Sequence, residues 1–183
     1  MQATMQSVPS ETGQNLQPGT AQLAEVFQQQ KDRVFRSAYR ITGNSSDAED
    51  VLQTVFLRLA GQEKIADIRN LPAYLHRSAV NAALDVLRRR TETTTIDAEP
   101  GPADLQLVLR AHRDLELRDW LRQALGRLNP HWAEMFVLRF VEEYSNREIA
   151  RMMGTSTAVV AVLLHRTRAR LKKEYLQIAR STP

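Results

Sequence analysis

The chain lacks cysteine and has few aromatic residues, and these shortages exclude several classes of protein. Among 183 residues there is no cysteine, and aromatic residues make up 6%. A disulfide framework, a thiol nucleophile and thiolate metal sites are therefore excluded, and the composition suits a reducing cytoplasm. No apolar run approaches the roughly 18–20 residues of a membrane span. The N-terminus also lacks the basic start and apolar core of a secretory signal, so membrane insertion and secretion are not expected.

The sequence contains little that resembles enzyme chemistry. Its histidines are scattered without metal-ligand spacing, and no glycine-rich phosphate loop accompanies them. Glu142 and Glu143 could form a carboxylate pair, but exposed charge at the end of a helix is the simpler interpretation. The sequence therefore predicts no enzyme activity, no catalytic residue, no metal site and no cofactor.

Charge is distributed unevenly along the chain. The formal net charge is +4, yet residues 1–22 contain one acid and no base. Residues 91–113 contain four acids against two arginines. The positive balance lies in the two flanking segments, near residues 23–90 and 114–183. Two basic blocks joined by an acidic spacer are typical of two contacts with one polyanion.

Hydrophobic periodicity predicts an all-α protein with two small helical domains joined by a flexible linker. Residues 1–20 are rich in Gln, Ser, Thr, Gly and Pro and are predicted to be a disordered tail. The first domain is predicted at 21–90, the acidic linker at 91–113 and the second domain at 114–178. Within the first domain, a helix is expected from Ala21 to a stop at Gly43, and a Ser46–Glu49 capping box is expected to open the next helix.

A third helix is predicted from Asn70 to Arg90 and carries two different faces. Asn70 is its expected N-cap, and Pro72 lies in the first turn. One face is apolar (Leu75, Ala79, Ala82, Ala83 and Val86). The other carries an aromatic ring, an amide and guanidinium groups (Tyr74, Arg77, Asn81 and Arg88), and the helix ends in three arginines. Such side chains suit unpaired bases and phosphates. Taken alone, a solvated basic face is the simpler interpretation.

Near the C-terminus the sequence predicts a helix-turn-helix. Ser145 and Glu148 form a capping-box pattern before the short helix NREIARMM, and Gly154 supplies a turn. Ser156 or Thr157 is expected to cap a long final helix, whose inner face is Val160, Leu164, Thr167 and Leu171. The basic run HRTRARLKK then suits contact with phosphates. An ordinary αα-hairpin is the structural alternative.

Three blocks, in order, resemble the extracytoplasmic-function (ECF) sigma factors of bacterial RNA polymerase. They are KDRVFRSAYRITGNSSDAEDVLQTVFLRL, NLPAYLHRSAVNAALDVLRRR and YSNREIARMMGTSTAVVAVLLHRTRARL. The resemblance covers roughly Leu23 to Tyr175. It implies a sigma region 2-like domain, an acidic linker that threads the polymerase channels and a region 4-like helix-turn-helix domain. The implied function is an alternative sigma factor that binds core RNA polymerase and directs promoter recognition, promoter melting and transcription initiation.

The resemblance also implies partners and contact residues. Core polymerase would be met through its β′ clamp helices and β flap, with Asp47, Asp50, Gln53 and Leu57 at the clamp helices. Promoter DNA would be bound at the −10 element by the loop from Lys64 to Asn70, which includes Arg69, and by the polar face and end of the third helix. The residues implied there are Tyr74, Arg77, Asn81, Arg88, Arg89 and Arg90. At the −35 element the contacts would be Ser156, Thr157, Ala161, Val162, His165, Arg166 and Arg168. This class often also has an anti-sigma factor.

The sequence departs from the family pattern in both predicted DNA-binding helices. Tyr74 stands where Trp is usual, and Val80 replaces a basic residue. In the recognition helix Ala161, Val162 and Leu163 replace a basic, a small polar and a second basic residue. Three explanations of these apolar residues remain open: contacts with thymine methyl groups, a weak dependence on the −35 element, or a surface covered by a regulator. A dimeric helix-turn-helix regulator without polymerase and a helical adaptor are the competing functions.

Overall fold

The computed structural model describes residues 18–62, 68–93 and 107–181, and regular structure in these ranges is entirely helical. The helices are α1 (Pro18–Thr42), α2 (Ser45–Ala60), α3 (Leu71–Thr93), α4 (Leu107–Arg127), α5 (Pro130–Phe140), α6 (Asn146–Met153) and α7 (Thr157–Ser181). The predicted all-α class with a helix-turn-helix is confirmed. Much of the predicted tail, residues 63–67 of the predicted DNA-binding loop, and residues 94–106 of the predicted linker lie outside the described residues.

Local signals place most helix ends where the sequence predicts them. Gly43 ends α1 with a left-handed φ of 70°, a conformation that costs glycine little. α1 begins at Pro18, slightly before the expected Ala21. The predicted Ser46–Glu49 box is wrong. Asn44, in an extended conformation, caps α2 instead, because its side-chain oxygen accepts a hydrogen bond from Asp47 N at 3.2 Å.

The first three helices pack around a core of small and branched side chains. The predicted apolar face of α3 is buried throughout, as are the inner residues Val34, Ala38 and Ile41 of α1. α2 contributes Val51, Val55, Phe56 and Leu59 to the same core. The alanines of α3 lack bulk, so α1 and α2 can approach its backbone closely.

The last three helices form the helix-turn-helix and its support. α5 begins after Asn129, whose side chain accepts a hydrogen bond from His131 N at 3.0 Å. Ser145 and Glu148 form the predicted capping box of α6, and Gly154 turns the chain with a φ of 64°. The predicted inner face of α7 is buried. Ser156 caps α7, since its hydroxyl accepts a hydrogen bond from Val159 N at 3.2 Å.

α3 lies at the centre, because it packs against α1, α2, α4 and α5. At Gly126 of α4 the contact is very close. A Cβ atom there would lie 2.8 Å from the carbonyl oxygen of Leu87. The buried apolar side chains of all these helices belong to one cluster. Within the described ranges, no helix is long and apolar enough to cross a membrane.

Candidate nucleic-acid interface

The predicted polymerase-binding residues of α2 differ in their exposure and in their contacts with the rest of the chain. Asp50, Gln53 and Leu57 are all exposed, and their spacing of three and four residues puts them on one side of the helix. The Leu57 side chain is 72% exposed, so this leucine adds nothing to the core. Asp47 is set apart, since it forms an ion pair with Arg90 of α3. The free surface of α2 is therefore a small patch that combines a carboxylate, an amide and an apolar side chain.

At the start of α3, Asn70 has a structural task. Its side-chain oxygen accepts a hydrogen bond from Ala73 N at 3.1 Å, and its carbonyl accepts one from Tyr74 N at 3.0 Å. The predicted N-cap is thus confirmed. Arg69, beside it, is exposed. Tyr74 is half-buried and packs against the apolar cluster, so only part of its ring is available for stacking.

Further along the same face, Arg77 and Asn81 contact the second half of the chain. Arg77 Nε donates to Glu134 Oε1 at 2.5 Å, and Asn81 Nδ2 donates to the same oxygen at 3.2 Å. Arg77 Nη1 also donates to the carbonyl of Met152 in α6 at 2.9 Å. The side chain of Glu134 is only 5% exposed, and His131 Nδ1 lies 3.9 Å from its other oxygen. Two residues predicted to hold DNA are therefore engaged within the chain.

A second buried carboxylate lies between α1 and α3. Glu142 is 2% exposed at its side chain, and Arg40 Nη2 donates to its Oε2 at 2.6 Å. Ser37 Oγ donates to Oε1 at 3.1 Å. His76 Nε2 lies 2.9 Å from Oε2. The interpretation of Glu142 as exposed helix-end charge is thus wrong, because the end of α5 is packed against α1 and α3.

These partners determine the ionisation of Glu142. Burial works to raise the pKa of this carboxyl group, but the hydrogen bonds and electrostatic interactions with His76 and Arg40 outweigh it. The net result is a pKa below the ordinary value of 4.5. At neutral pH the protein therefore holds a buried carboxylate anion at this junction.

The arginines that end α3 are partly engaged as well. Arg88 Nη1 donates to Asp85 Oδ1, one turn earlier in the helix, at 2.7 Å. Arg90 is held by Asp47. Arg89 is exposed. Since ion pairs at the surface contribute little stability, these guanidinium groups can exchange a carboxylate for a phosphate at small cost.

The helix-turn-helix presents its predicted reading surface to solvent. Every predicted −35 residue (Ser156, Thr157, Ala161, Val162, His165, Arg166 and Arg168) is exposed, and Leu163 is half-buried. Val159 is 45% exposed and Val162 is 49% exposed, so the start of α7 presents methyl groups rather than charges to solvent.

The capping hydrogen bonds from Ser145 also hold the pKa of Glu148, in the first turn of α6, below its usual value.

Sequence reasoning missed the two buried carboxylates and His76. Glu134 lies inside the apolar run WAEMFVL. A single acidic residue on an otherwise apolar helix face is the one sequence signal that could have predicted a buried carboxylate with a charged partner. Nothing in the sequence pairs it with Arg77, 57 positions earlier. No cluster of three metal-ligating side chains occurs in the part of the chain that the structure describes.

Comparison with known proteins finds two family profiles and several similar proteins. The family profile Sigma-70 region 2 matches residues 26–93, and Sigma-70, region 4 matches residues 118–171. RNA polymerase sigma-E factor of Streptomyces coelicolor is 35% identical over 82% of this chain and 84% of its own. ECF RNA polymerase sigma factor SigE of Mycolicibacterium smegmatis is 33% identical over 83% of this chain. The crystal structure of SigJ, an ECF sigma factor of Mycobacterium tuberculosis, is similar at a TM-score of 0.46 and 27% identity over 80% of this chain.

Both profiles are regions of sigma-70 proteins, so the chain is of the sigma-70 type. More particularly, the chain belongs to the ECF sigma factors of RNA polymerase. It spans about 60% of the length of the M. smegmatis protein and about half of the SigJ chain.

Proposed function

We propose that this protein binds core RNA polymerase in the cytoplasm and directs it to promoters as an alternative sigma factor, without enzyme activity or cofactor of its own. The observation that carries the proposal is the presence, in order, of matches to both sigma-70 regions in one chain. A dimeric helix-turn-helix regulator would need only the second of them. In this proposal the first domain spans residues 21–90, an acidic linker follows at 91–113, and the second domain spans residues 114–178.

The α2 patch of Asp50, Gln53 and Leu57 is the proposed contact with the β′ clamp helices. An exposed leucine beside a carboxylate and an amide suits an interface that combines an apolar centre with a polar rim. Asp47 is proposed as a fourth contact residue, and it also forms an ion pair with Arg90 of α3. Contact with the β flap is assigned to the second domain as a whole.

The polar face of α3 is the proposed −10 site. Tyr74 would stack on an extruded base, and Arg77 and Asn81 would bind base edges or phosphates. Arg69, Asn70 and the three closing arginines, Arg88 to Arg90, flank this face and would hold the adjacent backbone. Stacking on an aromatic ring is worth about 1–3 kcal/mol per base, which offsets the loss of a base pair.

The exposed start of α7 is the proposed −35 reader. Ser156, Thr157 and His165 can form hydrogen bonds with base edges, and Arg166 and Arg168 can neutralise phosphates. The side chains of Ala161 and Val162 can contribute only apolar contacts through their methyl groups. Because thymine alone presents a methyl group in the major groove, these side chains favour a thymine-containing element.

Charge reversal in α2 tests the proposed docking to polymerase. Asp50→Lys should weaken association with purified core polymerase by about ten- to a hundredfold, because it sets a cation against the surface that the carboxylate binds. Asp32→Lys is the matched control, since Asp32 is exposed on α1 and lies outside the α2 patch. Fluorescence anisotropy of labelled protein titrated with core measures both. Equal affinities for the Asp50 variant and the wild type would remove α2 from the interface.

A further inference from the structure

A cavity opens between α1, α4 and the end of α5, and its described lining includes no residue of α3. Its volume is about 660 Å³, within the range of roughly 300–1,000 Å³ that is typical of small-molecule sites. Eight of its lining side chains are apolar or aromatic, and three are arginines. No carboxylate or amide side chain lines it in the described part of the chain. The cavity therefore combines an apolar wall with positive charge.

Large apolar side chains remain exposed in this cavity. Leu115 of α4 is 55% exposed, Tyr39 of α1 is 48% exposed and Phe140 of α5 is 46% exposed. All three line the cavity although they lie on different helices. Apolar surface that is gathered in one place marks a binding site more often than single exposed residues do. A ligand with an apolar body would remove these side chains from water.

The three arginines of the cavity differ in how they are held. Arg40 and Arg122 are each paired with a carboxylate outside the lining. Arg122 Nε also donates to the carbonyl of Ile41 at 3.3 Å, and its guanidinium group lies against Gly43. Arg118 is exposed, and it forms no hydrogen bond or ion pair with the side chains that the structure describes. The lining therefore has one positive charge left for one anionic head group.

We propose that this cavity binds a small amphipathic monocarboxylate of the fatty-acid class, a property that goes beyond the proposed function. The carboxylate pairs with Arg118, because a guanidinium group can donate two parallel hydrogen bonds to its two oxygens. Arg122, one turn further along α4, places a second cation beside it. The aliphatic chain lies against Leu115, Tyr39 and Phe140. A sugar or a nucleoside fits less well, since the lining lacks the carboxylate and amide acceptors that bind hydroxyl groups.

Isothermal titration calorimetry of the full chain with decanoate tests the class of ligand. We expect saturable binding at a single site. Each buried methylene group changes affinity by about fourfold, so octanoate, which is two methylenes shorter, should bind about ten- to twentyfold more weakly. Decyltrimethylammonium has a chain of the same length but a cationic head, and it should bind at least about tenfold more weakly than decanoate. Equal affinities for the two head groups, or no saturable binding of decanoate, would overturn the proposal.

Two matched pairs of variants test the location of the bound molecule. Arg118→Gln should weaken decanoate binding by about three- to tenfold. Arg127→Gln removes the same charge from an exposed position of α4 outside the cavity and should bind decanoate as the wild type does. Leu115→Ala should weaken binding several-fold because it removes part of the apolar wall. Leu117→Ala, exposed on the same helix but outside the cavity, should have no effect.

All four replaced side chains are exposed, so the variants should keep the helical far-ultraviolet circular dichroism of the wild type. If Arg118→Gln bound decanoate as tightly as Arg127→Gln, recognition of the carboxylate by Arg118 would be refuted. If the two leucine variants also bound it equally, the ligand would lie elsewhere and the proposed site would be excluded. The measurement needs neither polymerase nor DNA, so its outcome is independent of the proposed function.

Discussion

Replacement of Gly126 by alanine should destabilise the protein, although the same change in a helix interior usually stabilises it. An alanine in a helix is worth about 1 kcal/mol more than a glycine. At this position, however, the new Cβ would lie 2.8 Å from the Leu87 carbonyl oxygen and 3.0 Å from two side-chain atoms of Thr91. A backbone carbonyl cannot rotate away, so α4 must move off α3. Overpacking of this kind costs about 1–3 kcal/mol, and we expect a net loss of about 1 kcal/mol.

Gly61→Ala provides a matched control for this experiment. Its added Cβ would meet only ordinary contacts, 3.6 and 3.7 Å from carbonyl oxygens of α2, and its backbone is right-handed helical. That variant should therefore be as stable as the wild type or slightly more so. Urea unfolding followed by far-ultraviolet circular dichroism gives both free energies. If Gly126→Ala proved at least as stable as the wild type, the close packing of α4 on α3 would be wrong.

Three further predictions concern DNA and pH. Tyr74→Ala combined with Asn81→Ala should reduce open-complex formation, detected by permanganate footprinting, more than closed binding; equal loss of both would exclude a melting role. Replacement of thymine by deoxyuracil in the −35 half of a promoter duplex removes only methyl groups and should weaken binding of the protein several-fold. In Val162→Ser the difference in affinity between the two duplexes should be smaller. An undiminished difference would exclude Val162 from contact with the thymine methyl groups. Because folding lowers the pKa of Glu142 below 4.5, the stability that this carboxylate contributes through its contacts with α1 and α3 is complete above that pH. It should fade as the pH drops through the lowered pKa. The free energy of urea unfolding of the wild type should fall over this range, whereas that of Glu142→Gln should lack this contribution; equal pH dependence in the two proteins would contradict the role of Glu142.

The sequence predicts those parts of the fold that depend on local chemistry. The Ser145–Glu148 capping box, the Asn70 cap and the stop at Gly43 are confirmed, because each depends on residues within one or two turns. The predicted Ser46–Glu49 capping box of α2 is wrong, because Asn44 offers the same capping chemistry as Ser46 and caps the helix instead. The helix start is decided by which of them takes an extended backbone.

Long-range pairing could not be predicted in the same way. The partners of Arg77 and Arg40 are 57 and 102 positions away, and periodicity shows only which side of a helix is polar. The burial of Glu142 follows from how α5 meets α1 and α3, which no local pattern records. The contact residues for polymerase and DNA remain predictions, since the structure describes one chain alone.

Run-off transcription with purified core polymerase tests the central claim most directly. The protein should direct initiation from a subset of genomic promoter fragments, and Asp50→Lys should reduce those transcripts while Asp32→Lys leaves them unchanged. If no fragment were transcribed above the level of core polymerase alone, and the wild-type protein did not co-purify with core, the assignment as a promoter-directing sigma factor would be contradicted.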